Sequence, residues 1–589
     1  MHIYRFLLFW GINFLMFSVH AQKGNMPTHY ESGGYNVTPT YTQTIDFCKA
    51  LDSSSKLISY QTIGKSARGL DIPLLIADKN GFSDPVNIRK TNKSILLILA
   101  CNHPGEPDGK DAGLLLFRNI ATGLERDVKL LDNVSIVFIP VFNVDGHERF
   151  GPYTRINQNG PVESGWRTTA QNLNLNRDFL KAESPEMKYF LQFYHLWYPD
   201  FSIDCHTTNG ADYQYVVTYA IETGAQTDQE IARWSKEKYL PFIESEMVQA
   251  QFPVFPYIGF RNWHDPRGAI LHKPSPAIIS NGYFAATNRP GLLIETHMLK
   301  PYKQRVDATY SMILFTLEYL NQHIQEFQQI ITQADENMLN GQFASEAFPV
   351  AVGLSKDSVM IDFLGVRFET DTSELSGGLW FKYFPDEPQI WKRAFYSTPE
   401  IQKSVVLPVS YIVPPEWGQL VERLKLHNIE YTVLTQSQTF QVEKTIFDNV
   451  GFENKPFEGC MRPTFQIKRY LTLETYPKGS FIIPVNQKSG RIVALLLEPE
   501  SMGSLVSWGY FNPIFEQKEY SEMYVMEKIA RKMIEDDPSL LEIFEKEKLE
   551  NPEFYSNQWN VLNWFYQKSP WFDQQLNVYP VGRIISDTK

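Results

Sequence analysis

Cysteine, surplus positive charge and long apolar runs are all scarce in this chain. Its four cysteines, Cys48, Cys101, Cys205 and Cys460, are too few and too scattered for a disulfide framework, and no C-x-x-C pair offers a thiolate zinc site. A formal net charge of -12 repels polyanions, so we expect no nucleic acid partner. After residue 21 no apolar run is long enough to cross a bilayer. These absences leave an ordinary globular protein.

The amino terminus carries a possible export signal. One basic residue, Arg5, precedes an apolar run from Phe6 to Phe17, and Val19-His20-Ala21 is a small-residue cleavage pattern. We predict a signal peptide over residues 1–21 and a mature protein that is exported, periplasmic or extracellular, with no membrane contact after cleavage. A non-cleaved anchor is the alternative.

The length and the strand pattern predict two domains. A chain of 589 residues exceeds what one hydrophobic core usually serves. Up to about residue 340, nearly continuous apolar runs alternate with amphipathic stretches, as in an α/β domain whose strands are buried on both faces. The runs are SILLILAC, NVSIVFIPVFN, DFSIDCH and GLLIETH. Each ends in polar residues, which open α/β sheets place at the ligand-binding edge.

The helices and the second half follow from similar patterns. DGKDAGLLLFRNIATGL and residues 307–339 are predicted helices, and the second of them ends the first domain. Beyond it, over residues 341–589, short strand candidates predict an α+β domain of unknown role, with one βαβ unit whose helix covers residues 417–427 and whose second strand covers 431–434. Residues 520–550 look helical. No metal or nucleophile constellation is visible in this half.

His103 and Glu106 form an H-x-x-E pair directly after a buried apolar run. Pro104 and Pro107 discourage a regular helix, so the two side chains are expected on a tight turn at a strand end, where they can converge. Alone, the pair fits a surface salt bridge or a cap as well as it fits a metal site.

His206 supplies a third candidate ligand, because it also follows an apolar run and lies at a strand's carboxyl end. Two histidines and one glutamate with an open fourth position are a common catalytic zinc set, so we predict one zinc ion. The alternative is a buried histidine bonded to a backbone carbonyl. Cys101 and Cys205 each lie just before a proposed ligand, so a contact between them stays open, with buried free thiols as the default.

Glu295 ends the apolar run in LLIETH, where a carboxylate is costly without a role. Beside a zinc-bound water it could take a proton and deliver it to a leaving amine. The alternative is a structural ion pair with Arg289 or Arg305.

Together these residues resemble the zinc carboxypeptidases of the carboxypeptidase A type, the funnelin fold. The resemblance covers about residues 36–339 and depends on ordered motifs, which are NHPGE, NVDG, GWR, NLNRD, DCH and IETH. It implies a mixed eight-stranded sheet flanked by helices, with zinc on His103, Glu106 and His206. It also implies that the substrate is a peptide with a free C-terminal carboxylate.

The resemblance further assigns roles around the metal. Glu295 matches the catalytic carboxylate and Arg167 the oxyanion-stabilising arginine, while Asn176 and Arg177 match the pair that grips the substrate's terminal carboxylate. The physics agrees, because a guanidinium fork binds a carboxylate at two points and a positive charge near the scissile carbonyl favours the transition state. Without the resemblance, both arginines would be read as surface residues.

Three departures from the family pattern stand out. Asn174 replaces the aspartate that usually orients the first zinc histidine, although its amide oxygen can still accept that N–H bond. Tyr283, taken as the substrate-binding tyrosine, lies closer to Glu295 than the family's spacing. Residues 273–288, which should line the specificity pocket, contain no acidic residue and are bracketed by Lys273 and Arg289, which favours an apolar or acidic substrate side chain.

The leading hypothesis is therefore an exported zinc metallocarboxypeptidase. A zinc amidohydrolase acting on N-acyl amino acids or cell-wall peptides is a second hypothesis, and a catalytically silent binding protein is a third. The C-terminal domain is expected to pack against the catalytic one or to restrict substrate access. The sequence gives no oligomeric state.

Overall fold

A computed structural model describes residues 26–263 and 265–585. The predicted signal peptide over residues 1–21 lies outside the described residues. The helices are α1 (His29–Ser32), α2 (Tyr41–Ser54), α3 (Pro85–Arg89), α4 (Asp108–Ala121), α5 (Glu125–Lys129), α6 (Val144–His147), α7 (Pro185–Trp197), α8 (Gln229–Trp234), α9 (Leu240–Gln249), α10 (Ser280–Ala286), α11 (Tyr302–Gln322), α12 (Ile324–Leu339), α13 (Gly418–Leu426), α14 (Gly490–Leu497), α15 (Met523–Asp536), α16 (Ser539–Glu550) and α17 (Gln558–Gln567).

The strands of the first part are β1 (Ile58–Lys65), β2 (Asp71–Ala77), β3 (Ser94–Leu99), β4 (Val134–Ile139), β5 (Phe201–Thr208), β6 (Val217–Ile221), β7 (Val254–Pro256), β8 (Gly259–Phe260), β9 (Ile270–Leu271) and β10 (Gly291–His297). Those of the second part are β11 (Phe348–Leu354), β12 (Val359–Thr372), β13 (Leu379–Tyr396), β14 (Pro399–Val405), β15 (Ser410–Val413), β16 (Thr432–Val433), β17 (Gln438–Phe452), β18 (Pro463–Tyr476), β19 (Phe481–Pro484) and β20 (Gly582–Ile584).

An eight-stranded mixed sheet in the order β1-β2-β4-β3-β5-β10-β6-β7 forms the centre of the first part, which confirms the predicted fold class. Its central strands β4, β3, β5 and β10 are parallel to one another. Every residue of these strands is buried, as their continuous apolar sequences predict for strands covered by helices on both faces. The parallel arrangement brings four carboxyl ends to one edge of the sheet.

The predicted helix over residues 307–339 is in fact two helices, because the chain breaks at His323 between α11 and α12. The predicted C-terminal helical region is likewise two helices, α15 and α16, with Pro538 between them. Pro538 has no backbone N–H to continue a helical ladder, which explains the second break.

The second part is α+β, as expected. Its largest sheet has the order β16-β19-β15-β20-β17-β18, and the β12–β13 hairpin joins β9 and β8 of the first part in a further sheet. The predicted βαβ unit is present as β15, α13 and β16, but β19 lies between the two strands and pairs with both.

The two parts share a hydrophobic core. One buried cluster combines Leu97 and Phe190 of the first part with Tyr411, Leu424 and Leu496 of the second. The division near residue 340 stays a prediction, and it coincides with the end of α12 at Leu339.

The structure also bears on membrane-spanning helices and on the cysteines. In the described residues no helix is both long enough and apolar enough to cross a bilayer. All four cysteines are free, and Cys48, Cys101 and Cys205 are buried, so the prediction of buried free thiols is correct for these three.

Candidate metal centre and substrate site

The predicted ligands meet at the carboxyl edge of the central sheet. His103 and Glu106 lie on the tight turn between β3 and α4, where the backbone N–H of Glu106 donates to the carbonyl of His103 at 2.9 Å. His206 lies on β5, and Glu295 lies opposite it on the parallel neighbour β10. All four side chains are at least nine-tenths buried.

The geometry of the three ligand atoms fits a zinc ion. His103 Nδ1 lies 3.3 Å from Glu106 Oε2 and 3.2 Å from His206 Nδ1, and the last two atoms are 3.0 Å apart. Ligand atoms about 2.1 Å from one ion at tetrahedral angles lie about 3.4 Å apart. The three side chains therefore need to move apart only slightly to bind the metal. A search of residues 26–263 and 265–585 for histidine, cysteine and carboxylate side chains that could share a metal ion finds this group of three.

Each histidine ligand is oriented by a partner on its other ring nitrogen. His103 Nε2 donates to Asn174 Oδ1 at 2.9 Å, so the amide at this departure from the family pattern does accept the bond. His206 Nε2 lies 2.8 Å from Asp204 Oδ2. Such partners fix the tautomer that leaves Nδ1 for the metal. Asp204 was missed in the sequence, although residues two apart on a strand share a face and the DCH motif contains it.

Glu106 is held by two arginines. Its Oε1 lies 3.0 Å from a guanidinium nitrogen of Arg155 and 3.2 Å from one of Arg167, while Oε2 also accepts the backbone N–H of Thr207 at 3.0 Å. Arg155 was another residue that the sequence did not reveal. A side chain at Gly105 would lie 2.5 Å from Arg155, so glycine allows this close approach.

The site's charges favour metal binding. Burial lowers the pKa of His103 to about 4, against the opposing charge of Glu106, so this ligand is neutral at pH 7. Burial disfavours a charged His206 as well, but the carboxylates of Asp204 and Glu106 outweigh it and raise its pKa well above the usual range. A concentrated negative charge of this kind attracts a divalent cation, which displaces the proton.

Among the residues that the structure describes, Glu295 forms no ion pair with a lysine or arginine. Burial raises its pKa to about 8, with Glu106 and Asp204 adding to the effect against His206 and Arg167. The two arginines considered as its partners are engaged elsewhere, since Arg289 pairs with Asp335 at 3.0 Å and Arg305 donates to the carbonyl of Gly160 at 2.5 Å. The ion-pair alternative for Glu295 is therefore wrong.

The NLNRD segment forms a short 3₁₀ turn, Leu175–Arg177, beside the metal ligands. Asn176 is buried, its Oδ1 accepts the backbone N–H of Ser280 at 3.0 Å, and its Nδ2 lies 3.3 Å from His206 Nε2. Arg177 donates to the carbonyl of Asn176 at 2.5 Å and, among the described residues, pairs with no carboxylate. Its guanidinium is therefore available to an anionic ligand.

Tyr283 is not brought to this site by the structure. It is fully buried on α10, and its hydroxyl lies 3.0 Å from His195 Nε2 and 2.9 Å from His427 Nδ1. A different tyrosine, Tyr257, lies close enough to Glu295 that this carboxylate is the largest cause of its raised pKa, ahead of burial. The sequence offered no signal for Tyr257, which lies on a loop after β7.

The fold and the site define a class of protein, a mixed α/β hydrolase with a single-metal centre of two histidines and one glutamate. Comparisons with known proteins point to the same class. Residues 44–192 match the family model Peptidase_M14, zinc carboxypeptidase. This stretch is similar to a zinc carboxypeptidase domain, and the match supports a zinc metallopeptidase.

Two relatives of similar length carry the name carboxypeptidase 2. Carboxypeptidase 2 of Trichophyton rubrum is 21% identical over 483 residues, which are 80% of this chain and 84% of that protein. Carboxypeptidase 2 of Trichophyton equinum is 22% identical over 505 residues, 83% of this chain and 87% of that protein. Both alignments extend well beyond the matched domain.

Solved structures give partial superpositions. The metallo-carboxypeptidase from Burkholderia cenocepacia has a TM-score of 0.36 at 19% identity and covers 48% of this chain and 70% of its own. The metallo-carboxypeptidase from Pseudomonas aeruginosa has a TM-score of 0.36 at 18% identity, with 49% of this chain and 70% of its own covered.

Proposed function

We propose that this protein is a zinc carboxypeptidase that removes residues from the carboxyl termini of peptides. The observation that carries the proposal is the convergence of His103, Glu106 and His206 within 3.3 Å of one another, with Glu295 on the adjacent strand. The matched family and the names of the two relatives agree with it.

His103, Glu106 and His206 would hold the metal. A bound zinc ion supplies a Lewis acid that polarises a carbonyl and makes a water molecule far more acidic. Glu295 takes the proton of the attacking water and delivers it to the leaving nitrogen, because it is a buried carboxylate with no ion-pair partner in the described chain.

Two arginines flank that carboxylate in our proposal. Arg167 lies at the edge of the site with its side chain 41% exposed, so it can turn towards the developing oxyanion of the substrate. Arg177 binds the substrate's terminal carboxylate at two points. Asn176 fixes the turn that aims Arg177, and Tyr257 is assigned to the substrate side of Glu295 in place of Tyr283.

The test is a digestion of peptides with free and amidated carboxyl termini, with and without a zinc chelator, followed by mass spectrometry of the products. The proposal predicts stepwise loss of C-terminal residues from the free peptides only, abolished by the chelator and restored by zinc. Cleavage within chains, or equal cleavage of amidated peptides, would contradict it. An N-acyl amino acid in the same assay tests the amidohydrolase alternative.

Export is a separate proposal that depends on the first 21 residues. Amino-terminal sequencing of the protein recovered outside the cytoplasm should begin at Gln22. Recovery of a chain that still begins at Met1, held in the membrane, would support the non-cleaved anchor instead.

A further inference from the structure

A hairpin tip of the second part of the chain contacts Asn174 and Lys181 of the first part. Between β17 and β18, Phe457 and Cys460 exchange backbone hydrogen bonds of 2.9 and 3.0 Å around a two-residue turn. Both turn residues are left-handed, with φ of 47° at Glu458 and 79° at Gly459. Glycine adopts this conformation freely, but glutamate is disfavoured there, and such strained residues cluster at functional sites.

The tip is anchored to the segment that carries the carboxylate-binding turn. Glu458 Oε2 accepts the backbone N–H of Asn174 at 2.9 Å, and Lys181 donates to the carbonyl of Glu458 at 2.6 Å. The Phe457 ring stacks on Trp508 with centroids 5.9 Å apart, and the Lys181 ammonium lies 5.5 Å from the centre of the same indole. These contacts fix the Glu458 carboxylate at one position beside residues 174–177.

The negative charge of Glu458 interacts electrostatically with the guanidinium of Arg177. Burial and the neighbouring Arg167 lower the pKa of Arg177. Of the groups that act in the opposite direction and raise this pKa, Glu458 has the largest effect. Yet the two side chains form no ion pair in the described chain, and Glu458 Oε1 has no hydrogen-bond donor there. The guanidinium therefore stays open to a substrate while a fixed, half-buried negative charge stands next to it.

We propose that Glu458 determines specificity, favouring a C-terminal residue with a cationic side chain and disfavouring an acidic one. The inference rests on the proposed carboxypeptidase function, in which Arg177 holds the terminal carboxylate. It reverses the preference suggested by the sequence, which rested on Lys273, Arg289 and the lack of an acidic residue between them. Of these two cations, Arg289 is neutralised by its bidentate pair with Asp335.

The test compares the wild type with Glu458→Gln, which keeps an acceptor for the Asn174 N–H but removes the charge. Glu453→Gln is the matched control, since Glu453 is exposed on the same loop and contacts residues 174–177 in no hydrogen bond or ion pair of the described chain. Substrates are N-blocked peptides that differ only in a final Lys, Leu or Glu, and kcat and KM are measured for each with zinc-loaded enzyme.

We expect Glu458→Gln to lower the Lys-to-Glu ratio of kcat/KM by about tenfold, mainly through KM, while Glu453→Gln leaves the ratio within twofold. Should Glu458→Gln misfold, the wild-type ratio still tests the inference, because salt screening of a half-buried charge must reduce it. A ratio unchanged in Glu458→Gln, or unaffected by salt, overturns the inference alone. If the wild type releases no C-terminal residue in a zinc-dependent way, the proposed function itself fails.

Discussion

The two histidine ligands differ in the charge of their partners. His103 is oriented by a neutral amide, Asn174, whereas His206 is oriented by the carboxylate of Asp204. The carboxylate that the family resemblance predicts behind the first histidine is absent, and a carboxylate lies behind the second. A carboxylate behind a ligating imidazole raises its basicity and strengthens the metal bond.

Removing the charge behind His206 should weaken zinc binding. Asp204→Asn keeps an acceptor for Nε2 but removes the negative charge, so zinc affinity should fall about 10–100-fold in chelator competition. Asp71→Asn, which changes a half-exposed carboxylate far along the chain from the ligands, is the control. Equal affinities for Asp204→Asn and the wild type would show that Asp204 is a packing residue only.

Glu295 gives a kinetic prediction. Glu295→Gln should lower kcat about 10²–10⁴-fold because the amide cannot accept the proton of the attacking water. Its zinc content should stay at the wild-type level, since Glu295 is not one of the three ligands. A variant that keeps more than a tenth of wild-type kcat would refute the assignment.

At the residue scale, the sequence revealed the groups that end buried strands. His103, Glu106, His206 and Glu295 could be recognised because each follows an apolar run, and a polar group there needs a reason. Arg155, Tyr257 and Glu458 could not be recognised in this way. They reach the site from loops whose path depends on tertiary contacts, and no local pattern encodes those contacts.

At the scale of elements, α10, α7 and α13 are joined by a buried chain of polar groups. The Tyr283 hydroxyl, on α10, bridges His195, on α7, and His427, which follows α13. His427 Nε2 also lies 3.1 Å from the carbonyl of Leu180. This chain of polar groups ties the first part of the molecule to the second.

Tyr283 and Tyr257 should therefore respond differently to loss of the hydroxyl. Tyr283→Phe should lower the free energy of unfolding by about 1–3 kcal/mol, because it removes a partner from the buried His427 and from the half-buried His195, and it should leave kcat/KM within a few-fold. Tyr257→Phe should do the reverse, with stability kept and kcat/KM reduced. A large loss of kcat/KM in Tyr283→Phe at unchanged stability would restore Tyr283 to the substrate site.

Local sequence patterns do not determine where every helix ends or which strands pair. The pattern of residues 307–339 predicts one helix, yet the backbone leaves the helical conformation at His323 and a second helix begins at Ile324. The βαβ pattern near residue 418 is correct, but the insertion of β19 between β15 and β16 is a long-range pairing. Sequence periodicity reports a buried face and carries no information about which strand lies beside it.

At the scale of the whole molecule, buried neutral histidines make the fold sensitive to acid. Burial lowers the pKa of His427 to about 4 and that of His297 to about 4, below the value of about 6.5 in an unfolded chain. Between these values the unfolded chain binds more protons, so stability is present above pH 6.5 and is lost as the pH falls towards 4. Each such histidine contributes about 1.4 kcal/mol per pH unit.

The dependence of the free energy of unfolding on pH can be measured. In zinc-free protein between pH 6.5 and pH 4.5, the free energy of unfolding of His427→Gln should depend on pH differently from that of the wild type, with the loss on acidification smaller by the share of one histidine. The comparison of slopes is independent of any constant loss caused by the substitution. Parallel slopes for the two proteins would mean that His427 is protonated in the folded state.

The shared core explains why the second part belongs to the enzyme. It contacts the segment that leads into the 3₁₀ turn Leu175–Arg177 through Glu458, and it contacts α10 through His427. The sequence predicted its α+β class and its position after residue 340, but not these contacts, because they join residues more than a hundred positions apart.

The central claim is that His103, Glu106 and His206 bind one zinc ion. X-ray diffraction from crystals of the zinc-loaded protein, recorded on both sides of the zinc absorption edge, tests it directly. We predict one strong anomalous peak about 2.0–2.2 Å from His103 Nδ1, His206 Nδ1 and a carboxylate oxygen of Glu106. A zinc peak elsewhere, with these three side chains bonded only to one another, would contradict the account.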